Sequence, residues 1–151
     1  MDFRKASAKD APGIARAEEL IFPDPWTERS VTDLISTEGA MCFVATEEDR
    51  VCGYVIGRLI APEGEIYRVA VLPEYRRRGL AYRLLDYSVK CSLGKGLESL
   101  FLEVRSQNIA AISLYTAYGF RKIGIRKNYY KNPTDDAVLM LRASRAEMEY
   151  I

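Results

Sequence analysis

The chain passes from a strand-like run into a helix through Arg76-Arg77-Arg78-Gly79-Leu80-Ala81. Residues 66–72 before it are mostly apolar or β-branched, and Pro73-Glu74-Tyr75 interrupts them. A basic, glycine-bearing turn at a helix start presents free backbone N–H groups and the positive end of the helix dipole, so it favours an anion such as a pyrophosphate. Taken alone, a basic run before a helix is more often a solvated turn. Apolar residues then recur at helical spacing, at Leu80, Leu84, Tyr87 and Cys91.

Length and composition indicate one domain without a general affinity for nucleic acid. The 151 residues carry 22 Lys and Arg against 21 Asp and Glu, a formal net charge of +1. We predict a single domain over residues 1–143 followed by a tail, residues 144–151. The N-terminus lacks the apolar run of a secretory signal and no stretch approaches a membrane span, so we expect a cytoplasmic protein that does not bind membranes.

The titratable residues restrict the chemistry. The sequence contains no histidine, which excludes Ser-His-Asp and Cys-His catalysis and leaves proton transfer to carboxylates, Tyr, Cys or Lys. Three cysteines with no C-x-x-C pair argue against a disulfide framework or a zinc site, and we expect no metal.

Hydrophobic periodicity predicts an α/β (α+β) fold. The elements follow the order β-α-α-β-β-β-α-β-α-β-β, which indicates a mixed, mostly antiparallel sheet with helices on both faces. The strand over residues 99–104 is almost uninterruptedly apolar and is therefore predicted to be central. The predicted strands are residues 3–6, 40–46, 51–61, 65–72, 99–104, 120–126 and 137–141, and the predicted helices begin near Lys9, Thr27, Gly79 and Asn108.

Several motifs resemble the GCN5-related N-acetyltransferase (GNAT) superfamily over essentially the whole chain. Residues 76–81 match its acetyl-CoA signature, Arg/Gln-x-x-Gly-x-Gly/Ala. A more selective string is similar to the RimI group, the bacterial ribosomal-protein alanine N-acetyltransferases: Pro25-Trp26-Thr27, Leu102-Glu103-Val104-Arg105, Leu114-Tyr115, Tyr118-Gly119-Phe120 and Arg126-Lys127-Asn128-Tyr129-Tyr130. Three features depart from the group: Ala81 replaces a frequent glycine, Arg68 replaces a smaller polar residue, and the extension after Leu141 has no counterpart.

The resemblance implies that acetyl-CoA is the co-substrate. Its pantetheine arm would pair with the backbone of Val69, Ala70 and Val71, and Arg76, Arg77, Arg78, Gly79, Leu80 and Ala81 would hold its pyrophosphate. Asn108 would contact the cofactor as well as cap a helix. The alternatives are a plain core strand and an ordinary N-cap.

The resemblance also assigns two catalytic residues. Glu103 would act as the general base that deprotonates the acceptor amine, and Tyr115 would protonate the departing thiolate. The reaction would be a direct attack of the amine on the thioester. Without the resemblance, a carboxylate at the position of Glu103 is usually salt-bridged or capping, and a tyrosine at the position of Tyr115 is more often a core residue.

An N-terminal acceptor is the hypothesis that the resemblance favours, with an N-terminal Ala of a ribosomal protein as the expected substrate. At neutral pH roughly a tenth of α-amines are free base, against well under a thousandth of lysines, so an α-amine demands less of the base. A small amine, a lysine side chain, or a non-catalytic acyl-CoA-binding role remain alternatives. The candidate acceptor-binding residues are Trp26, Glu65, Arg68, Tyr129 and Tyr130, for which sheet packing is the alternative.

Overall fold

The computed structural model describes residues 1–143, and the predicted tail lies outside them. The strands are β1 (Asp2–Lys5), β2 (Phe43–Glu47), β3 (Arg50–Ile60), β4 (Glu63–Val71), β5 (Ser99–Arg105), β6 (Arg121–Tyr130) and β7 (Asp135–Arg142). The helices are α1 (Ala11–Ile21), α2 (Glu28–Ile35), α3 (Leu80–Leu93) and α4 (Ile109–Ala117), with short 3₁₀ turns at Ala8–Asp10 and Pro73–Tyr75. The predicted order of elements is confirmed. In this part of the chain no helix is long and apolar enough to cross a membrane.

All seven strands form one sheet in the order β1-β2-β3-β4-β5-β7-β6. Only β4 and β5 are parallel, and every other neighbouring pair is antiparallel. The strand β5 lies between β4 and β7, so its predicted central position is confirmed. The hairpin between β2 and β3 turns at Glu48 and Asp49, whose positive φ angles of 50° and 65° are those of a tight two-residue loop.

The sheet opens between its two parallel strands. Pairing of β4 with β5 ends at Ile66 opposite Leu102. A register shift follows between β3 and β4, which leaves Tyr67 without a partner across the ladder. Beyond it, residues 68–71 pair only with β3, and residues 103–105 pair only with β7. A wedge is therefore open between the second halves of β4 and β5.

Each face of the sheet carries its own apolar core. One core joins the sheet to α3 and α4 and includes Leu84 and Leu102, while the other joins it to α1 and α2 and includes Ile14 and Ile56. Leu84, Ile14 and Ile56 are fully buried. The prediction of helices on both faces is confirmed.

Several predicted boundaries were wrong. β4 begins at Glu63, inside the predicted turn, because Glu63 and Gly64 pair with both β3 and β5. β2 begins at Phe43, and Ala40 forms only an isolated bridge with Arg58. β7 extends one residue past its predicted end to Arg142, because Arg142 pairs with Leu100. β6 extends to Tyr130 and β7 begins at Asp135.

An ion pair ties β1 to the start of α1 and allows a stability test. Arg4 donates two hydrogen bonds of 2.7 Å to the buried Asp10, which also accepts the Ser7 backbone N–H at 2.8 Å. Burial alone would raise the pKa of Asp10, but the hydrogen bonds from Arg4 and Ser7 outweigh it and lower the pKa. The stabilisation is therefore present above the unfolded pKa near 4 and disappears as the pH falls through the lower folded pKa.

We expect Asp10→Asn to lower the free energy of unfolding by about 2 kcal/mol at pH 7, since charged hydrogen bonds contribute on that order. The difference from wild type should shrink at pH 3, where Asp10 of the unfolded chain is protonated. Urea unfolding at both pH values measures it. An equal difference at pH 7 and pH 3 would contradict the ion-pair explanation.

Candidate active site

The turn before α3 offers an array of free backbone donors. Gly79 is the N-cap of α3 with a φ of 70°, and Arg77 also has a positive φ, of 64°. The six successive N–H groups of residues 77–82 donate no hydrogen bond to any residue in 1–143. A Cβ at Gly79 would meet nothing within 4 Å, so the turn faces open space. This concave set of N–H groups at a helix start suits a phosphate group.

The arginines of the turn surround this array. Arg76 Nε donates to the Val71 carbonyl oxygen at 3.0 Å and so joins the turn to the end of β4. The Arg78 guanidinium lies 5.6 Å from the centre of the Tyr75 ring. The two guanidinium groups thus flank the turn, with Arg76 held against β4.

The open edge of β4 leads from the turn to the wedge. Val69, Ala70 and Val71 pair with β3 on one side, and their other edge faces the wedge, where no strand of the described chain pairs with it. Ala70 and Val71 are also buried in the core. A core strand and a strand that pairs with a cofactor are therefore compatible interpretations of these residues, since the side chains pack in the core while the backbone edge stays available.

A groove of about 450 Å³ lies on the sheet face next to the wedge. Leu102 and Val104 point into the core under α3 and α4, so Glu103 between them points to the opposite face and into the groove. On that face α1 and α2 cover mainly β2, β3 and the end of β4, which leaves the other strands exposed. The groove is lined by Arg58, Ile60, Glu63, Gly64, Glu65, Tyr67, Phe101, Leu102, Glu103, Ile123, Arg126, Leu139 and Met140.

Two carboxylates face each other in this groove. Glu103, whose side chain is 23 % exposed, lies 3.5 Å from Arg126 Nε. Burial and the negative charge of Glu103 raise the pKa of Glu65, although Arg126 opposes this shift. The groove therefore presents two carboxylates, which favour a cationic ligand such as an ammonium group.

Tyr115 combines a buried ring with a protonated hydroxyl. Tyr115 is buried in α4 with its ring packed edge-on against Phe120, 5.6 Å between centroids. Burial raises the pKa of Tyr115, and the positive charge of Arg68 in β4 partly offsets this shift. Its hydroxyl forms no hydrogen bond with the rest of residues 1–143, so the proton is held on the oxygen and is free for a ligand.

Asn108 is the N-cap of α4. Its side-chain oxygen accepts the Ala111 backbone N–H at 3.2 Å. The predicted capping role is confirmed, whereas contact with a cofactor stays a prediction.

The hairpin of β6 and β7 brings two tyrosines to the groove side of the sheet. Tyr129 is 49 % exposed and packs at right angles to Tyr130, with centroids 5.0 Å apart. Burial and the negative charge of Glu103 raise the pKa of Tyr130 to about 12. Arg105 lies 4.5 Å from the Tyr130 ring and donates to two carbonyl oxygens of the loop that follows, which fixes the hairpin.

The structure links Arg68 to a buried carboxylate that sequence reasoning missed. Arg68 Nε donates to Glu18 Oε1 at 3.1 Å, and Glu18 is fully buried. The Trp26 ring packs against Tyr67 with centroids 5.6 Å apart. Helical spacing marked Ala17 as an apolar-face residue, and a glutamate directly after it is expected to face solvent, so no pattern in the sequence singled out Glu18.

Of the predicted catalytic and acceptor residues, Glu65 and Glu103 line the groove, and Trp26 packs against its lining residue Tyr67. The predicted cofactor residues of β4 and the turn follow one another along the chain, whereas Asn108 and Tyr115 belong to the start and the body of α4. Among residues 1–143 no group of three or more His, Cys, Asp or Glu side chains is arranged to hold a metal ion.

Comparison with known proteins identifies this combination of fold and site. Residues 11–120 match the acetyltransferase (GNAT) family. The chain is 32 % identical over 138 residues to the [ribosomal protein bS18]-alanine N-acetyltransferase of Salmonella typhimurium, covering 89 % of this chain and 91 % of that protein. It is also 32 % identical to an N-alpha-acetyltransferase of Saccharolobus solfataricus, covering 92 % and 90 %.

Solved structures show the same fold. The Escherichia coli ribosomal-protein-S18-alanine N-acetyltransferase superposes with a TM-score of 0.86 at 29 % identity, covering 94 % of this chain and 92 % of that one. Ard1 of Thermoplasma volcanium gives a TM-score of 0.87 at 28 % identity, covering 95 % and 97 %.

The chain belongs to the acetyltransferase (GNAT) family. It is therefore an N-acetyltransferase, as the sequence motifs predicted, and acetyl-CoA is the acyl donor of its family. The resemblance to the RimI group is confirmed as well. The roles of the individual site residues stay predictions.

Proposed function

We propose that the protein acetylates the N-terminal α-amine of a protein, with an N-terminal Ala of a ribosomal protein as its substrate. The observation that carries the proposal is the open wedge between β4 and β5. It has Glu103 on its groove side, and the buried Tyr115, whose hydroxyl is unbonded within residues 1–143, lies in the helix that follows β5. The 32 % identity to a bS18-alanine N-acetyltransferase supports this acceptor. An acceptor of this kind places the protein in the cytoplasm.

The donor is held by the backbone of β4 and by the turn. The free N–H groups of residues 77–82 bind the pyrophosphate, and Arg76 and Arg78 add positive charge around it. The free edge of Val69, Ala70 and Val71 pairs with the pantetheine arm. Asn108 contacts the donor from the start of α4. Bound acetyl-CoA supplies an activated acetyl group as a thioester.

Proton transfer falls to two side chains on either side of the wedge. Glu103 accepts a proton from the α-ammonium group, directly or through water, and Glu65 helps to hold the amine. The free amine then attacks the thioester carbon without an acyl-enzyme intermediate. As the C–S bond breaks, Tyr115 gives its proton to the departing sulfur, and the proton that the new amide nitrogen loses passes, directly or through water, to the Tyr115 oxygen. Trp26, Tyr129 and Tyr130 border the acceptor.

The test is a steady-state screen with CoA release as readout. The expected result is high kcat/KM for peptides that begin with Ala, including one that carries the N-terminal sequence of a ribosomal protein, and much lower values for internal lysines and small amines. If small amines are acetylated readily while Ala- and Ser-initiated peptides are not, the proposal is wrong.

We expect Gly79→Ala to raise the KM for acetyl-CoA about tenfold or more. A residue with a Cβ at a φ of 70° costs about 1–2 kcal/mol, and the Cβ would project into the open space where the pyrophosphate binds. The matched control is Gly94→Ala at the other end of α3, where φ is −67° and nothing lies within 4 Å of the added Cβ. Equal acetyl-CoA KM values for both variants would contradict the proposed donor site.

A further inference from the structure

The carboxylate of Glu18 joins three parts of the chain beside the groove. It lies in α1, fully buried, and accepts the Tyr54 hydroxyl of β3 at 2.5 Å. It also accepts the backbone N–H of Trp26 at 3.0 Å and Arg68 Nε of β4 at 3.1 Å. One carboxylate therefore sets the separation between α1, the loop after it, β3 and β4.

Arg68 extends this network to the loop between α1 and α2. Its Nη2 donates to the backbone oxygen of Asp24 at 2.7 Å and to its side chain at 3.1 Å. Its guanidinium also lies 4.0 Å from the centre of the Phe22 ring, and only 16 % of its side chain is exposed. Arg68 thus holds both ends of residues 22–24 against β4.

The loop carries one wall of the groove. Trp26 ends this loop and packs against Tyr67, which lines the groove and is the bulged residue at which β4 leaves β5. We call this contact the Trp26–Tyr67 wall. Its position depends on the Glu18–Arg68 pair, because Glu18 holds the Trp26 backbone and Arg68 directly follows Tyr67.

We infer that Glu18 and Arg68 are positioning residues for the acceptor, which together fix the Trp26–Tyr67 wall at the groove. The identity of the acceptor rests on the proposed function. The contacts from which the inference is drawn are observed within residues 1–143 and do not depend on it.

Kinetics of three variants test the inference. Arg68→Met and Glu18→Gln should each raise the acceptor KM about tenfold and leave the acetyl-CoA KM within about twofold. Arg68→Met leaves the buried Glu18 without its charged partner, and Glu18→Gln leaves Arg68 with Asp24 as its remaining carboxylate, so each change should lower Tm by several degrees. The double variant removes both charges, so its Tm should largely recover while its acceptor KM stays raised.

Asp10→Asn is the matched control, since it disrupts a similarly buried ion pair at the other end of α1. It should lower Tm without changing the acceptor KM. Recovery of both Tm and acceptor KM in the double variant would overturn the inference. The Glu18–Arg68 pair would then contribute to stability alone and not to the position of the acceptor.

Hydrogen–deuterium exchange tests the same connection without an acceptor. Arg68→Met should speed exchange in residues 22–26 and 67–71, and Asp10→Asn should not. Unchanged exchange in residues 22–26 of Arg68→Met would overturn the inference. A wild-type protein that acetylates no N-terminal peptide would contradict the proposed function instead, and the exchange result would still decide the role of the pair.

Discussion

Glu103→Gln is expected to lower kcat/KM for an Ala-initiated peptide at least about 100-fold at pH 7, because general-base catalysis contributes 10²–10⁴. Glutamine keeps the size of the side chain and removes its charge and basicity. About tenfold of this loss should disappear towards pH 9, since an α-amine with a pKa near 8 changes from roughly a tenth free base to mostly free base and then needs no deprotonation before the attack. The pH dependence of kcat/KM for both proteins measures this effect.

Two further variants separate the base from its neighbour and from the fold. Glu65→Gln should mainly raise the acceptor KM, because Glu65 holds the amine. Glu98→Gln changes an exposed carboxylate just before β5 and should leave both kcat and the acceptor KM unchanged. A larger loss of turnover in Glu65→Gln than in Glu103→Gln would make Glu65 the base. Since Arg126 is 56 % exposed, loss of its Glu103 partner should scarcely alter Tm.

The order of the elements was predictable because each follows a local rule. Thr27, near which a helix was predicted to begin, caps α2 by accepting the Ser30 N–H at 3.0 Å, and Pro12 lies in the first turn of α1, where its missing N–H costs nothing. Apolar alternation likewise identified the strands, and Gly79 marked the start of α3. These signals depend on residues close in the chain, so tertiary contacts did not need to be known.

The shape of the site was less predictable because long-range contacts create it. The bulge at Tyr67 and the end of pairing at Ile66 depend on the registers of three strands, which no local pattern encodes. Glu18 belongs to a helix with adjacent glutamates, and only its contact with Arg68, 50 positions away, explains its burial. Arg68 was identified in the sequence only as a departure from a group pattern.

Strand ends were similarly set by pairing partners. Glu63 and Gly64 have the composition of a turn, yet β3 and β5 lie on either side of them and extend the sheet through both. Tyr129 and Tyr130 lie beyond the predicted end of β6 at residue 126, and the electrostatic interaction of Tyr130 with Glu103 depends on the insertion of β7 between β5 and β6.

Tyr115→Phe is expected to lower kcat about 100-fold and to leave Tm and the acetyl-CoA KM nearly unchanged. The change removes one oxygen that forms no hydrogen bond with residues 1–143, so the packing of the ring against Phe120 should persist. Because burial raises the pKa of Tyr115, the phenol stays protonated through the assay range. Ionisation of Tyr115 should therefore cause no loss of wild-type activity up to about pH 10.

Tyr118→Phe is the matched control in the same helix region. Its hydroxyl donates to Asp86 at 2.9 Å, so its loss should lower the free energy of unfolding by about 1 kcal/mol while kcat stays close to wild type. The two tyrosines thus separate catalysis from stability: removal of the unbonded hydroxyl should affect turnover, and removal of the bonded one should affect folding. A Tyr115→Phe protein with wild-type kcat would remove Tyr115 as the proton donor, and proton transfer to sulfur would then fall to water or to another side chain of the wedge.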